Sequence, residues 1–489
     1  PCTQDLPCRS LDRGYHAAAD GGAVELAGGY YGCDEITADP SKTAEVVFRS
    51  TMGQTAWTTC ELRIAASHLA FENMKLAGIR SNSAQYLTLR NVDVTCLDRE
   101  PFKLWAGTCS AGVFLFAPAS RFQMLGGSVG PTWDDTYHGA PGQSQIGINL
   151  VGGSAISTDL LFDGVHFHDN RRIDDTQHTS CMMVGGGDGV TIRNSRFDNC
   201  AIFDLFFTWW SFVSPQYPPA TNILLENNLF AEAVAGCANC PAGYVAVEFA
   251  DYQPVWENVT IRNNASAQTM GFDGLQSNFV VAGNAMPQPG YGCKPGIAYS
   301  SNVVAGEPCG STDRVGSIVA TAPAGQAYVE LSVARAALRY QAGGFPAQSR
   351  EAVDKSVASL DGALDRANWA SDGLRLDDVG YRTLEQMRWA TAWLTWADAG
   401  VAGATIRHQR NIVHAMGLLA RTRFKEVWAF QQKAGQANAW ALWVAEYYLN
   451  SGDALALDSP MHAALDYESA WQMLLGQQPL QAEAPAAVQ

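Results

Sequence analysis

The pattern of apolar and polar positions changes character once along the chain. Up to about residue 315, apolar residues fall in short runs such as Val190-Thr191-Ile192 and Ile223-Leu224-Leu225, each closed by a residue suited to a bend. Runs of this length, bounded by Asn or Gly, read as strands. An apolar residue, a variable one and then Asn or Gly recur eight times: Phe71-Glu72-Asn73, Leu89-Arg90-Asn91, Met124-Leu125-Gly126, Phe162-Asp163-Gly164, Ile192-Arg193-Asn194, Leu225-Glu226-Asn227, Ile261-Arg262-Asn263 and Val281-Ala282-Gly283. A spacing of about 18 to 38 residues suits one coil of a parallel β-solenoid with surface loops of unequal length.

The phrase has a physical reading. Its apolar residue ends a strand facing the interior, and the residue two places on sits where the chain bends with positive φ, a conformation open to Gly and, among the other residues, best tolerated by Asn. Asn at this place is also expected to stack on its copy one coil away through its amide. The middle residues Asp163, Arg193, Glu226 and Arg262 alternate in sign, and Glu72 with Arg90 repeats the alternation. With coils about 4.8 Å apart this predicts an ion ladder on the outside of the solenoid, a supporting feature rather than a catalytic one.

At the entry, Arg13 to Ala19 reads as a short capping helix, followed by strands beginning at Val24-Glu25-Leu26 and Val46-Val47-Phe48. After residue 325 the period becomes that of helices, over Tyr328 to Arg339, Ser349 to Trp369, Val379 to Ala399, Thr405 to Ala434 and Ala437 to Asn450. The organisation expected is a β-solenoid over 1–315, a small-residue linker over 316–325 and an α-helical domain over 326–489. Trp389, Trp393 and Trp396 share one helix face, for which core packing is the expected role.

All twelve cysteines lie between Cys2 and Cys309. An even count without zinc-finger or haem-attachment spacing predicts disulfides and an oxidising compartment, so a secreted, extracellular or cell-surface location is inferred from the cysteines. Cys237-Ala238-Asn239-Cys240, the one CxxC, is assigned to disulfide bonding rather than metal or redox chemistry. No run of eighteen apolar residues is present to span a membrane. The sequons Asn258-Val259-Thr260 and Asn264-Ala265-Ser266 are compatible with secretion. Net charge is −16, and residues 1 to 315 hold 18 Lys and Arg against 31 Asp and Glu, a balance of −13. That excludes the basic surface a nucleic-acid partner needs. No nucleotide, haem or flavin cofactor is expected.

The opening Pro1-Cys2-Thr3-Gln4, Pro7-Cys8-Arg9-Ser10 and Gly28-Gly29-Tyr30-Tyr31, the stretches Val190 to Phe197 and Asn222 to Asn228, and the close Cys309-Gly310-Ser311-Thr312-Asp313 resemble secreted bacterial right-handed parallel β-helix proteins of the pectate-lyase-like superfamily. The resemblance covers about 310 residues and implies the fold. That superfamily includes lyases, hydrolases, epimerases, adhesins and proteins of no known activity, so it hands over no single reaction. No short catalytic signature of the best-known pectate or alginate lyases is present, and the helical part resembles no family.

In β-helix polysaccharide lyases a Ca²⁺ held by Asp and Glu neutralises the uronate carboxylate while an Arg or Lys removes the neighbouring proton. The acid-rich stretch here comprises Asp159, Asp163, Asp169, Asp174, Asp175, Asp188, Asp198 and Asp204. Its sharpest subset is an insertion from Asp169 to His178, with Asp174 and Asp175 as candidate cation ligands, Arg171 or Arg172 as base, and His178 assisting. A loop one coil earlier adds Asp134 and Asp135 as further ligands and Tyr137 and His138 as substrate contacts. Trp209, Trp210 and Tyr217 offer aromatic faces for sugar rings. Phe203, Leu205, Phe206 and Phe207 are assigned to packing.

The function expected is binding and cation-assisted cleavage of an acidic polysaccharide or cell-surface glycan by a secreted β-helix, as a lyase or a glycoside hydrolase. The rival expectation is a structural or adhesive surface protein whose helical domain docks a partner or further copies of itself.

Overall fold

The computed structural model describes residues 8–32, 35–51, 54–82, 84–95, 111–116, 118–131, 146–151, 156–170, 180–208, 220–231, 245–251, 255–315, 318–369, 376, 380–398, 405–434 and 438–475. Candidates Tyr137, His138, Asp134, Asp135, Arg171, Arg172, Asp174, Asp175, His178, Trp209, Trp210 and Tyr217 lie outside these residues. The chain divides into two compact units, residues 1–318 with 336–346, and residues 319–335 with 347–489.

The first unit is a right-handed parallel β-helix. Up to Val303–Val304, which pairs with the next strand Arg314–Val315, strands pair in parallel with the strand three later, so successive strands visit three sheets in turn. One coil is Thr158–Asp163 in the first sheet, His166–Asn170 in the second and Ser180–Val184 in the third; the next is Asp188–Arg193, Arg196–Cys200 and Phe203–Phe207. The described residues form 11, 12 and 10 strands in the three sheets. Helix Leu11–Ala17 stands at the entry, with Leu11 and Tyr15 buried against the first coils.

The eight-fold phrase does what its chemistry predicts. All eight third positions have positive φ, from 50° at Asn194 to 71° at Gly164. The ion ladder also forms on the first sheet: Arg193 pairs with Asp163 at 2.8 Å, Arg262 with Glu226 at 2.8 Å and Arg90 with Glu72 at 2.8 Å, each between register partners in adjacent coils. At two bends, Gly126 and Gly164, the turns Ala336 and Ala337 of the next helix lie so close that a Cβ on Gly164 would come within 2.8 Å of the Ala336 Cβ. Tyr340 on the same segment donates its hydroxyl to Asp163 at 3.1 Å.

The amide stacking expected at the third position is present between Asn91 and Asn73, at 2.8 Å. The longer ladder runs one residue later. Asn228, Asn264, Asn284 and Asn302 are each buried, and the side-chain oxygens of Asn264, Asn284 and Asn302 each accept from the backbone N–H and the amide of the preceding asparagine, at 2.8 to 3.1 Å. Asp313 accepts the last pair from Asn302, and Ser195 donates its N–H to Asn228. An unpaired amide in this interior costs about 1–3 kcal/mol, so a continuous ladder is the arrangement that satisfies each group. Burial also closes the sequon at Asn264 to modification in the folded chain. Beside the ladder, Phe167, Phe197 and Phe230 stack coil on coil with centroids 4.5 and 5.0 Å apart.

Disulfides join Cys181 to Cys200 and Cys293 to Cys309, and no free cysteine occurs among the described residues.

Beyond the β-helix the described helices are Ile318–Gln341, of which residues 319–335 belong to the second unit and 318 and 336–341 to the first, and Ala347–Ala363, Tyr381–Asp398, Ile406–Ala434, Ala439–Leu455 and Pro460–Leu474 of the second unit. The first of these runs through residues 318–325, where a linker is expected; Ala320, Ala322 and Ala324 are strong helix formers, and small size alone does not mark a flexible segment. The last helix has no counterpart in the sequence reading. None of the helices is long and apolar enough to cross a membrane.

The tryptophan stripe is a correction. Helix Tyr381–Asp398 buries Leu384, Met387, Ala390, Thr391, Leu394 and Ala397, whereas Trp389 and Trp396 are 43% and 55% exposed. Spacing put the three indoles on one face, but small and slim residues made the tighter core on the other.

Candidate functional site

The insertions singled out in the sequence leave and rejoin the β-helix at identifiable places. Residues 132–145 and 171–179 both leave from the second sheet, after Ser128–Val129 and His166–Asn170, and both rejoin at the third sheet, at Ile146–Val151 and Ser180–Val184. Those strands pair with one another in adjacent coils. Residues 209–219 leave the opposite edge of the third sheet, after Phe203–Phe207.

At the edge between the second and third sheets, the described side chains form a compact titratable cluster. His166 Nε2 lies 2.6 Å from Asp198 Oδ2, to which Arg196 Nε also donates. His168 stacks on His166 with centroids 4.5 Å apart and meets Asp169 Oδ2 at 3.0 Å through Nδ1. Burial would raise the Asp198 carboxyl, but hydrogen bonds from His166 and Arg196, and their charges, hold it well below its ordinary range. Asp204 is the opposite case: fully buried and near the Asp198 charge, it is pushed well above that range, and its Oδ2 has no hydrogen-bond partner among the described residues. Of the acid-rich stretch, Asp169, Asp198 and Asp204 gather here, while Asp163 belongs to the ion ladder and Asp188 holds Thr221 and Asn222.

A second cluster sits at the other edge, and the sequence reading missed it. Glu248 interrupts the apolar strand Val245–Phe249 on its outer face, in register with Phe206 before it and Gly271 after it. The carboxyl is buried, with 5% of the residue exposed, and Oε2 has no hydrogen-bond partner among the described residues. Burial first, then the charge of Asp273, pushes Glu248 up to about 7, against the opposing effects of Tyr291 and Lys294. Gly271 makes room for it, since a Cβ there would lie 2.0 Å from Oε2.

Three groups surround Glu248. Tyr291 is 63% exposed, and burial of its hydroxyl followed by the Glu248 charge raises its pKa. Lys294 Nζ lies 5.5 Å from the Tyr291 ring centroid and 3.2 Å from Asp273 Oδ1. The Cys293–Cys309 disulfide fixes the chain beside Lys294. On the same outer face Phe206 is half-buried and stacks on Phe203 at 4.7 Å, so these two rings are not core, unlike Leu205 and Phe207. A buried carboxyl pushed up to about 7, hydrogen-bonded to the Tyr291 side chain and near an ammonium, is equipped for proton transfer. A lone Glu in an otherwise apolar strand was the available signal.

Among the described residues no three His, Cys, Asp or Glu side chains are placed together to hold a metal ion.

No family model matches the chain, and no curated protein is similar to it. Solved structures similar to it include the PL6 family alginate lyase AlyGC, at 14% identity and a TM-score of 0.31, covering 60% of this chain and 37% of that one. A PL6 alginate lyase in complex with a trisaccharide gives 11% identity and 0.24, and alginate lyase AlyF-OU02 in complex with G6 gives 11% and 0.25; each match covers 63% of this chain and 85% of that one. This chain therefore spans 37% of the length of AlyGC, and no residue role is carried over from these proteins.

Proposed function

We propose that the β-helix cleaves an acidic polysaccharide by elimination on the outer face of its third sheet, with Glu248 as base. The observation that supports this reading is the buried Glu248 carboxyl, pushed up to about 7, hydrogen-bonded to the Tyr291 side chain and within reach of the Lys294 charge, with Oε2 without a hydrogen-bond partner among the described residues. In the proposed reaction Glu248 takes the proton beside a uronate carboxylate whose charge Lys294 offsets. The electron pair forms the double bond, the glycosidic C–O bond breaks, and Tyr291 protonates the leaving oxygen. Arg171, Arg172 and His178, with Asp174, Asp175, Asp134 and Asp135 as Ca²⁺ ligands, are the alternative catalytic set. Trp209, Trp210, Tyr217, Tyr137 and His138 are proposed substrate contacts, and secretion is part of the same proposal.

Substitution separates the two sets. Glu248→Gln and Tyr291→Phe should each abolish turnover of a polyuronate, while Arg172→Ala and Asp175→Ala should abolish it only if chemistry resides in the loop. A non-catalytic rod is the rival, and complete silence of the wild-type chain on every acidic glycan, together with self-association in light scattering, would favour it.

A further inference from the structure

Lys294 has two carboxylates near it and pairs with one. Its Nζ lies 3.2 Å from Asp273 Oδ1, whereas no ion pair joins it to Glu248 among the described residues, and Glu248 Oε2 has no hydrogen-bond partner there. The choice is not the one that electrostatics alone favours, because an ion pair gains more where water is excluded, and Asp273 is the more exposed of the two acids.

The backbone supplies the reason. Asp273 directly follows the strand Met270–Phe272; its N–H donates to the Phe249 carbonyl at 2.8 Å and its carbonyl accepts from Gln276 Nε2 at 3.2 Å. Lys294 is fixed in the following coil, where its N–H donates to the Tyr299 hydroxyl at 3.3 Å and the Cys293–Cys309 disulfide holds the residue before it. Tyr291 takes the place beside Glu248 that the ammonium leaves: its side chain hydrogen-bonds to Glu248, and its ring centroid lies 5.5 Å from Lys294 Nζ. Burial comes first in holding the proton on Glu248. Among its charged and titratable neighbours, Asp273 and Asp251 act in the same sense, and Tyr291 and Lys294 in the opposite one.

We propose that Asp273 is a positioning residue that keeps the Lys294 ammonium off Glu248, so that the carboxyl stays available to take a proton. Without the Asp273 charge, the flexible Lys294 stem would bring its ammonium to the remaining carboxylate. An opposite charge at that distance lowers a carboxyl by about 1–3 pH units. The effect on turnover rests on Glu248 being the base, but the titration of Glu248 does not.

The test follows Glu248 in the full chain, through the melting temperature of each variant relative to the same variant carrying Glu248→Gln, across pH. In wild type this difference rises up to pH about 7. In Asp273→Asn the rise should end lower by about one pH unit or more, a tenfold change in the acid dissociation constant, and Asp273→Glu, which keeps the charge, should restore the wild-type end point. Loss of a like charge alone would also lower it, so Lys294→Gln separates the two causes. It should shift the end point less when Asp273 is present than when added to Asp273→Asn, where it should raise the end point by about one unit or more. Equal effects of Lys294→Gln in the two backgrounds overturn the proposal, as does an end point in Asp273→Asn that matches wild type. Should Asp273→Asn not fold, Asp273→Ser carries the same comparison. The pH limb of kcat/KM for a polyuronate is measured on the same variants. A limb that follows the melting data supports Asp273 in this role and Glu248 as base together. Melting data that shift as expected beside a limb that stays in place leave Asp273 in its role and remove Glu248 as base.

Discussion

The carboxylate of Glu248 occupies the space that a side chain on Gly271 would need, with the virtual Cβ only 2.0 Å from Oε2. Gly271 is in register with Glu248 on the next coil, so the relationship is set by strand pairing. Backbone freedom is not the reason for glycine here, because no positive φ occurs at this position. Gly271→Ala must push the carboxyl out of place. Turnover should fall by about 10²–10⁴-fold, the range for a displaced acid–base group, with the unfolding midpoint little changed. Wild-type turnover in this variant would dissociate Glu248 from the reaction.

The pH dependence of stability gives a second check. Glu248 titrates near 4.5 in the unfolded chain and at about 7 in the fold, so the fold favours its protonated form. That contribution is fully present below pH 4.5 and is lost as pH rises through about 7. Glu248→Gln does not titrate. The melting temperature of this variant, measured relative to wild type, should rise between those two pH values and level off above them. A flat difference would mean that the carboxyl is not buried as described.

Activity should move in the opposite sense to that stability contribution. A base must be deprotonated, so kcat/KM for a polyuronate should climb as pH rises through about 7, the Glu248 value. A limb at the ordinary carboxylate range would assign the base elsewhere.

The interior asparagine ladder should outweigh the outer ion ladder. Asn264 donates to Leu225 and Asn284 and accepts from Asn228, all in the interior. Asn264→Ala leaves several of these groups unpaired and should cost about 3 kcal/mol in denaturant unfolding. Arg49, 47% exposed and paired to a half-exposed Glu25, should cost less than about 1 kcal/mol when replaced by Ala. Equal losses at the two positions would mean that the coils are held together mainly from outside.

Much of the β-helix was legible because its bends demand a specific residue. Asn or Gly at positive φ is a backbone requirement, so all eight phrases survive in the structure, and the alternating charges follow from strand pairing. The ladder at Asn228, Asn264, Asn284 and Asn302 was written one position later, directly after each bend, but only the structure shows that this position turns inward. Glu248 stayed hidden because its neighbours in sequence are apolar; Tyr291 and Lys294 meet it only through coils that stack. The helical tryptophans show the limit of periodicity, which groups Trp389 with Trp396 yet does not say which face of the helix is covered.

The most direct measurement follows the products formed from a polyuronate by wild type and by Glu248→Gln, recording absorbance from unsaturated ends and reducing ends in parallel. Elimination at Glu248 predicts absorbance rising in step with reducing ends for wild type, and neither for the variant. Reducing ends without absorbance, or a variant that retains full turnover, would contradict it.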